Sequence, residues 1–371
     1  MFQLTAAVDE AAVGALVARS RRDVDQGLLP ACQIALAHDG RLILDETFGA
    51  PADSRFVTFS VTKAFTGSLA WLLIGAGLLE PSTRVADVVP EFATNGKAHV
   101  TVEHLLTHTA GFPRAPMRPE EGADRAARVE RFGSWRLDWP VGSQTEYHAT
   151  SAYWVLAEII DRVTGADYRE VFADRIAGPL GLPGLTVGTP LARQDGVLPV
   201  VAVGDAVEGK TLGDHVKETG EQFLLRFNEP QVLAAGVPGA GAVGRAADVA
   251  LFYQALLHNR AGVWADAVLT DATSNVRNTL VDPLFRVPAN RTLGLVVAGA
   301  DDQAVVRGFG RGNSARAFGA QGVGGQVAWA DPASGLSFCY LTNGLDADVV
   351  GSFTRSAKVA GLAARCGREV A

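Results

Sequence analysis

Ser60-Val61-Thr62-Lys63 runs directly into Ala64–Leu79, an apolar stretch closed by Glu80. Residues three apart on a helix share a face. A serine hydroxyl and a lysine amine therefore come within contact reach at the head of a helix that the apolar run would bury. At 16 residues that run is short for a membrane span and suits a buried helix. Serine is a poor nucleophile without a base to take its proton. Lysine is such a base only when burial or a neighbouring cation depresses its pKa. The chain has five lysines, Lys63, Lys97, Lys210, Lys217 and Lys358, and no second Ser-x-x-Lys. The competing reading is a surface lysine one turn beyond an N-capping serine, and the spacing alone does not decide between them.

Outward from this segment, residues 7–26 have helical apolar spacing at Val8, Ala12, Leu16 and Val17, with Gly27 where a stop belongs. Ala31–His38 and Arg41–Phe48 are apolar runs joined by Asp39-Gly40, a β-hairpin signal. Helices are expected at 60–78, 150–164, 167–177 and 245–258, strands at Leu293–Gly299, Val323–Ala330 and Leu336–Thr342, and a closing helix at 347–365. Strands at both ends with helices between them predict an α/β (α+β) fold made of one discontinuous domain. Residues 1–62 and 290–371 would build an antiparallel sheet flanked by helices. Residues 63–289 would form a mainly helical lobe, with the active site where the two meet.

Composition narrows the function classes. Of 371 residues, 48% are hydrophobic and 20% charged, which excludes a disordered chain. A net charge of −7 opposes general nucleic-acid binding, so no nucleic-acid partner is expected. The N-terminus has no basic segment followed by an apolar core, so a cytoplasmic protein without a membrane span is expected. Three cysteines, Cys32, Cys339 and Cys366, are odd in number and lack metal-ligand spacing.

Several motifs match by letter only. Gly204–Thr211 fits the P-loop pattern, but Asp205 and Glu208 would put negative charge inside the phosphate cradle. Gly239–Gly244 is a GxGxxG preceded by Pro238 rather than a clean strand, and reads better as a glycine-rich loop packed on neighbouring backbone. His104 and His108 are spaced four apart without the intervening glutamate or a third ligand, so no metal is expected. Gly312-Asn313-Ser314-Ala315-Arg316 lacks the last glycine of a nucleophile elbow.

What gives Ser60 and Lys63 weight is the order of three further segments. Leu105-Leu106-Thr107-His108-Thr109-Ala110-Gly111 comes first. Pro140–Ala149, containing Glu146-Tyr147-His148-Ala149, precedes an amphipathic helix. Phe318-Gly319-Ala320-Gln321-Gly322-Val323-Gly324-Gly325 opens Gln326–Pro332. Together these resemble the serine β-lactamase and penicillin-binding-protein superfamily, nearest its class C β-lactamase-like esterases (family VIII carboxylesterases). The resemblance covers about residues 30–345 and implies a β-lactamase/transpeptidase-like fold.

The resemblance also implies roles. Ser60 would be the acylated nucleophile, Lys63 its base or proton relay, and Tyr147 the hydroxyl that shuttles the proton to or from the leaving group. The backbone N–H groups of Ser60 and Val323 would form the oxyanion hole. Gln321, Gly322, His148 and Trp135 are the expected substrate contacts; in residues 112–140, read from their composition, Trp135 and Trp139 either line an apolar acyl pocket in a wall or lid or belong to the core beneath a solvated charged face. Two positions depart from the family pattern: Ala149 stands where asparagine is usual, and Ala320 where lysine or histidine is usual. Those are the groups that bind an amide and a carboxylate. Their loss argues against β-lactamase or peptidase activity and for a neutral ester or thioester substrate, with no cofactor. The expected activity is a carboxylesterase. Acyl transfer from the same site is the alternative, and a catalytically silent binding protein on this fold is the third reading.

Overall fold

The structure, a computed structural model, describes residues 8–204 and 221–367. The P-loop match past Gly204 lies outside the described residues. Six antiparallel strands form the main sheet in the order β2 (Arg41–Phe48), β1 (Cys32–His38), β10 (Leu336–Thr342), β9 (Gln326–Asp331), β8 (Phe318–Gly322) and β7 (Val296–Val297). The β1–β2 hairpin turns at Asp39 and Gly40, with φ of 52° and 76°. Both central residues are left-handed, as a two-residue turn matching strand twist requires.

The central strands are buried on both faces, and side-chain size sorts by face. Ile34, Leu36, Trp329, Phe338 and Tyr340 point into one core, shared with the helices Glu10–Asp25 and Val349–Ala364. Ala35, Ala37, Ala328, Ala330 and Cys339 point into the other, where the helix Ala246–His258 lies. The period-2 alternation of strands separates the two sets, and the small residues let that helix approach the sheet closely. Gln254 on the helix donates to the Ala37 carbonyl and to Ser337 Oγ, both at 3.1 Å. The three cysteines are free and buried.

The expected strand Val323–Ala330 is interrupted. Val323-Gly324-Gly325 form the turn between β8 and β9, with Gly324 and Gly325 at φ of 82° and 78°. Those angles are accessible to glycine at no steric cost, and they reverse the chain where a continuous strand was expected. The expected strand Leu293–Gly299 is likewise reduced to β7.

Between the sheet segments lie the helices Thr62–Gly75, Arg125–Ser134 and Ser151–Thr164. Thr62–Gly75 is buried almost throughout, as its apolar sequence demands. Arg128 is buried against Glu158 at 2.7 Å and Asp161 at 2.5 Å, pinning two of these helices together. A small sheet, β3 (Phe56–Val57), β6 (Ala242–Gly244) and β4 (Thr186–Val187), links the chain just before Ser60 to this half, and β5 (Val201–Val203) pairs in parallel with β11 (Gly344–Asp346). β6 holds the last three residues of the GxGxxG match, so that motif is not a strand–turn–helix phosphate loop. No helix among the described residues is long and apolar enough to cross a membrane.

Candidate active site

Phe59–Val61 is a single 3-10 turn that leads into Thr62–Gly75. Phe59 is buried at φ 40°, an unfavourable conformation for a bulky residue. Edge-to-face packing on Phe227, at 5.5 Å, helps hold it. Thr58, Thr62 and Thr66, spaced four apart, stitch this turn to the loop ahead of β6. Thr58 N–H donates to the Ala242 carbonyl (2.9 Å), Ala242 N–H to Thr62 Oγ1 (3.0 Å), and Thr66 Oγ1 to the Pro238 carbonyl (2.7 Å). The nucleophile-bearing turn and the glycine-rich loop are thereby locked together.

Lys63 is 3% exposed. Its Nζ donates to the carbonyls of Ala149 (2.7 Å) and Gly239 (2.8 Å) and lies 3.2 Å from Ser60 Oγ. Burial, reinforced by the Arg291 cation, holds its pKa well below the ordinary lysine value. A neutral amine has two N–H donors and one lone pair. With two carbonyls fixed as acceptors, the lone pair is left for the Ser60 hydroxyl. The Nζ also sits 4.7 Å from the Tyr147 ring centroid and 5.2 Å from that of Tyr153.

Tyr147 is brought to the same point, its ring centroid 4.7 Å from the Lys63 amine and its phenol within electrostatic reach of Ser60. Burial pushes its phenol up, outweighing the lowering by Ser60 and Arg291, so it stays protonated. Ser60, Lys63, Tyr147, Gln321, Gly322 and Val323 all line one cleft of about 1360 Å³. Its far walls are largely apolar and include Phe223, Leu284, Phe285 and Phe353. Ser60 lies in the 3-10 turn that opens the helix, where N–H groups have no intrahelical acceptor. Val323 lies in the β8–β9 turn. A Cβ on Gly322 would meet Gln326 Oε1 at 2.9 Å and the Thr58 carbonyl at 3.1 Å, so only glycine lets β8 press against the serine turn. Gln326 clamps that contact by donating to the carbonyls of Val57 (2.8 Å) and Thr342 (2.9 Å). The Gln321 amide packs over Gly308, where a Cβ would collide with it.

His148 and Trp135 do not reach the cleft. His148 is fully buried: its Nδ1 donates to the Glu146 carbonyl (2.7 Å) and its Nε2 accepts from Phe112 N–H (3.1 Å). Burial outweighs the hydrogen bond to Glu146 and pushes its pKa down to about 3, so the neutral ring shapes the Tyr147 loop from behind. Trp135 packs on Phe112 and Phe132 and donates Nε1 to the Pro116 carbonyl (3.1 Å). Trp139 is also buried away from the cleft. The 112–140 segment does supply wall, through Pro113–Glu121 and Arg131, but its tryptophans are core. His104 caps its own helix through Nδ1, which accepts from Thr101 N–H (3.1 Å). His108 Nδ1 accepts from His148 N–H (3.0 Å) while its ring stacks beside Tyr147.

Three contributors went unmarked by motif reading. Ala149 acts through its carbonyl, which any residue type supplies. Gly239 came from a motif read for another chemistry. Arg291 belongs to no motif, and only its place over Tyr147, at 5.3 Å, marks it. Gly239 carries a direct prediction. A Cβ there would sit 2.9 Å from the Ala149 carbonyl and 3.2 Å from Lys63 Nζ. Gly239→Ala should lower kcat for an ester about 10- to 100-fold by displacing the amine, measured beside a melting curve that verifies folding.

A partly exposed serine hydroxyl touched by a buried, depressed lysine and a protonated tyrosine, at the mouth of an apolar cleft beside an antiparallel sheet, defines the class of β-lactamase-fold serine hydrolases. The chain belongs to the beta-lactamase family, whose sequence profile matches residues 16–360. It is 28% identical over 316 residues to the esterase/beta-lactamase LipL of Mycobacterium tuberculosis (strain ATCC 25618 / H37Rv), covering 79% of this chain and 70% of LipL. A family VIII carboxylesterase superposes with a TM-score of 0.77 at 22% identity, covering 94% of this chain and 98% of that one. EstCE1, described as a hydrolase with promiscuous acyltransferase activity, superposes at 0.74 with 19% identity, covering 95% and 99%.

Proposed function

We propose that this protein is a carboxylesterase that works through an acyl-enzyme on Ser60. The observation that carries the reading is the Lys63 amine, held by two backbone carbonyls with its remaining site toward Ser60 Oγ. Ser60 Oγ attacks the ester carbonyl and its proton passes to Lys63. The N–H groups of Ser60 and Val323 take the developing oxyanion. The C–O bond breaks, and the Tyr147 hydroxyl relays the proton to the departing alkoxide. Water then attacks the acyl-serine by the reverse proton path, releasing the acid and restoring Ser60. LipL, by its name an esterase and β-lactamase, supports ester chemistry.

Ala149 and Ala320 remove the side chains that would hold a β-lactam amide and carboxylate. Turnover of p-nitrophenyl butyrate should therefore exceed that of a chromogenic cephalosporin by about 100-fold or more in kcat/KM. Comparable values would overturn the ester assignment. Acyl transfer is the second reading, favoured by a cleft of about 1360 Å³, roomy enough for an acceptor beside the acyl group, and by the description of EstCE1. Ester or amide products formed in the presence of added alcohol or amine would reveal it.

A further inference from the structure

The charges lining the cleft pair off, with a remainder. Its carboxylates are Glu120, Glu121 and Glu146. Glu120 is bonded to Arg226, Glu121 to Arg131, and Glu146 to Arg114. Two arginines of the lining are left. Arg118 is exposed on the outer wall. Arg291 is only partly exposed and sits over the Tyr147 ring, 5.3 Å from its centroid. Its Nε is buried with no hydrogen-bond partner, and it makes no ion pair among the described residues. Asp282, whose charge reaches Tyr147, has an oxygen committed to the N–H groups of Leu284 (2.9 Å) and Phe285 (3.3 Å).

An arginine beside an apolar wall with no counter-ion is costly unless an anion arrives. Guanidinium matches a carboxylate in geometry as well as charge. From this unmatched cation, which lines the same cleft as Ser60 and lies over the Tyr147 ring, we infer that the substrate is an ester that itself carries a carboxylate, bound by Arg291. This rests on the ester-hydrolase reading and deepens it. Position 320 lacks the cation that a linear motif would supply, which suggested a neutral ester. Arg291 brings one to the cleft from a different part of the chain. The shared chemistry is a carboxylate near the scissile bond, and it has two sources: the alcohol or the acyl group.

Two matched substrate pairs test it. On the alcohol side, the butyrate ester of 3-hydroxybenzoate is compared with that of 3-hydroxybenzamide. On the acyl side, the p-nitrophenyl monoester of glutarate is compared with the p-nitrophenyl ester of glutaramic acid. Each pair differs in one charge. The expected result is a kcat/KM ratio, charged over neutral, of about ten or more in at least one pair. Arg291→Gln should bring that ratio to about one or below, and Arg291→Lys should retain part of it. Benzoate or glutarate should also compete with a neutral ester in the unmodified enzyme, a measurement that needs no variant to fold. Ratios at or below one in both pairs, or a preference that survives Arg291→Gln, overturn the inference. If the enzyme turns over the charged and neutral members equally in both pairs, the anionic class fails and the hydrolase reading stands. If neither pair is turned over and no acyl-serine forms, the hydrolase reading itself fails.

Discussion

Ser60→Ala should abolish ester turnover, lowering kcat/KM by on the order of 10⁴-fold or more, about 5 kcal/mol of transition-state stabilisation. The size follows from the role: without Oγ there is no acyl-enzyme, and Lys63 and Tyr147 have nothing to exchange a proton with. The protein itself should hardly notice. Ser60 is partly exposed in the cleft lining, and among the described residues its hydroxyl is hydrogen-bonded to the Lys63 amine, so its removal opens no core cavity. The measurement pairs p-nitrophenyl ester kinetics with a melting curve. Equal rates in the variant, or a fluorophosphonate adduct mapped to another serine, would sink the assignment.

Lys63→Met should cost on the order of 10³-fold or more in kcat, and Lys63→Arg should not rescue it, because guanidinium stays protonated. The pH profile carries the sharper test. Burial first, then the Arg291 cation, lowers the Lys63 pKa, and the phenol rings of Tyr147 and Tyr153 that flank the amine stay protonated. His108 and His148 beside them are held neutral by burial. A base works only when deprotonated, so the rate should be full above the depressed Lys63 pKa and fall as pH drops through it. The acid limb of kcat/KM should therefore lie far below the ordinary lysine value. A rate climbing tenfold per pH unit from 7 to 10 would mean an unperturbed lysine and would remove Lys63 as the base.

Much of the fold was legible because local chemistry dictated it. Asp39-Gly40 between two apolar runs specifies a two-residue hairpin, and Ala64–Leu79 specifies a buried helix whatever its neighbours. Ser60 and Lys63 share a face by helical geometry alone. The β8–β9 turn was less legible. Gly324 and Gly325 read equally well as a loose strand, and only their positive φ reveals the reversal.

The site divides the same way. The sequence by itself determined the helix that carries the serine–lysine pair and the strands at both ends that build the sheet, because turn chemistry and apolar periodicity act over a few residues. Tertiary structure decided what surrounds the pair. It put His148 and Trp135 in the core, since their polar atoms find backbone partners there. It took two backbone carbonyls, Ala149 and Gly239, from segments 90 residues apart and aimed both at one amine. It also left Arg291 without a counter-ion beside Tyr147. None of these has a local signature: a carbonyl is the same in every residue, and whether an arginine is paired depends on which carboxylates the folded chain brings within reach.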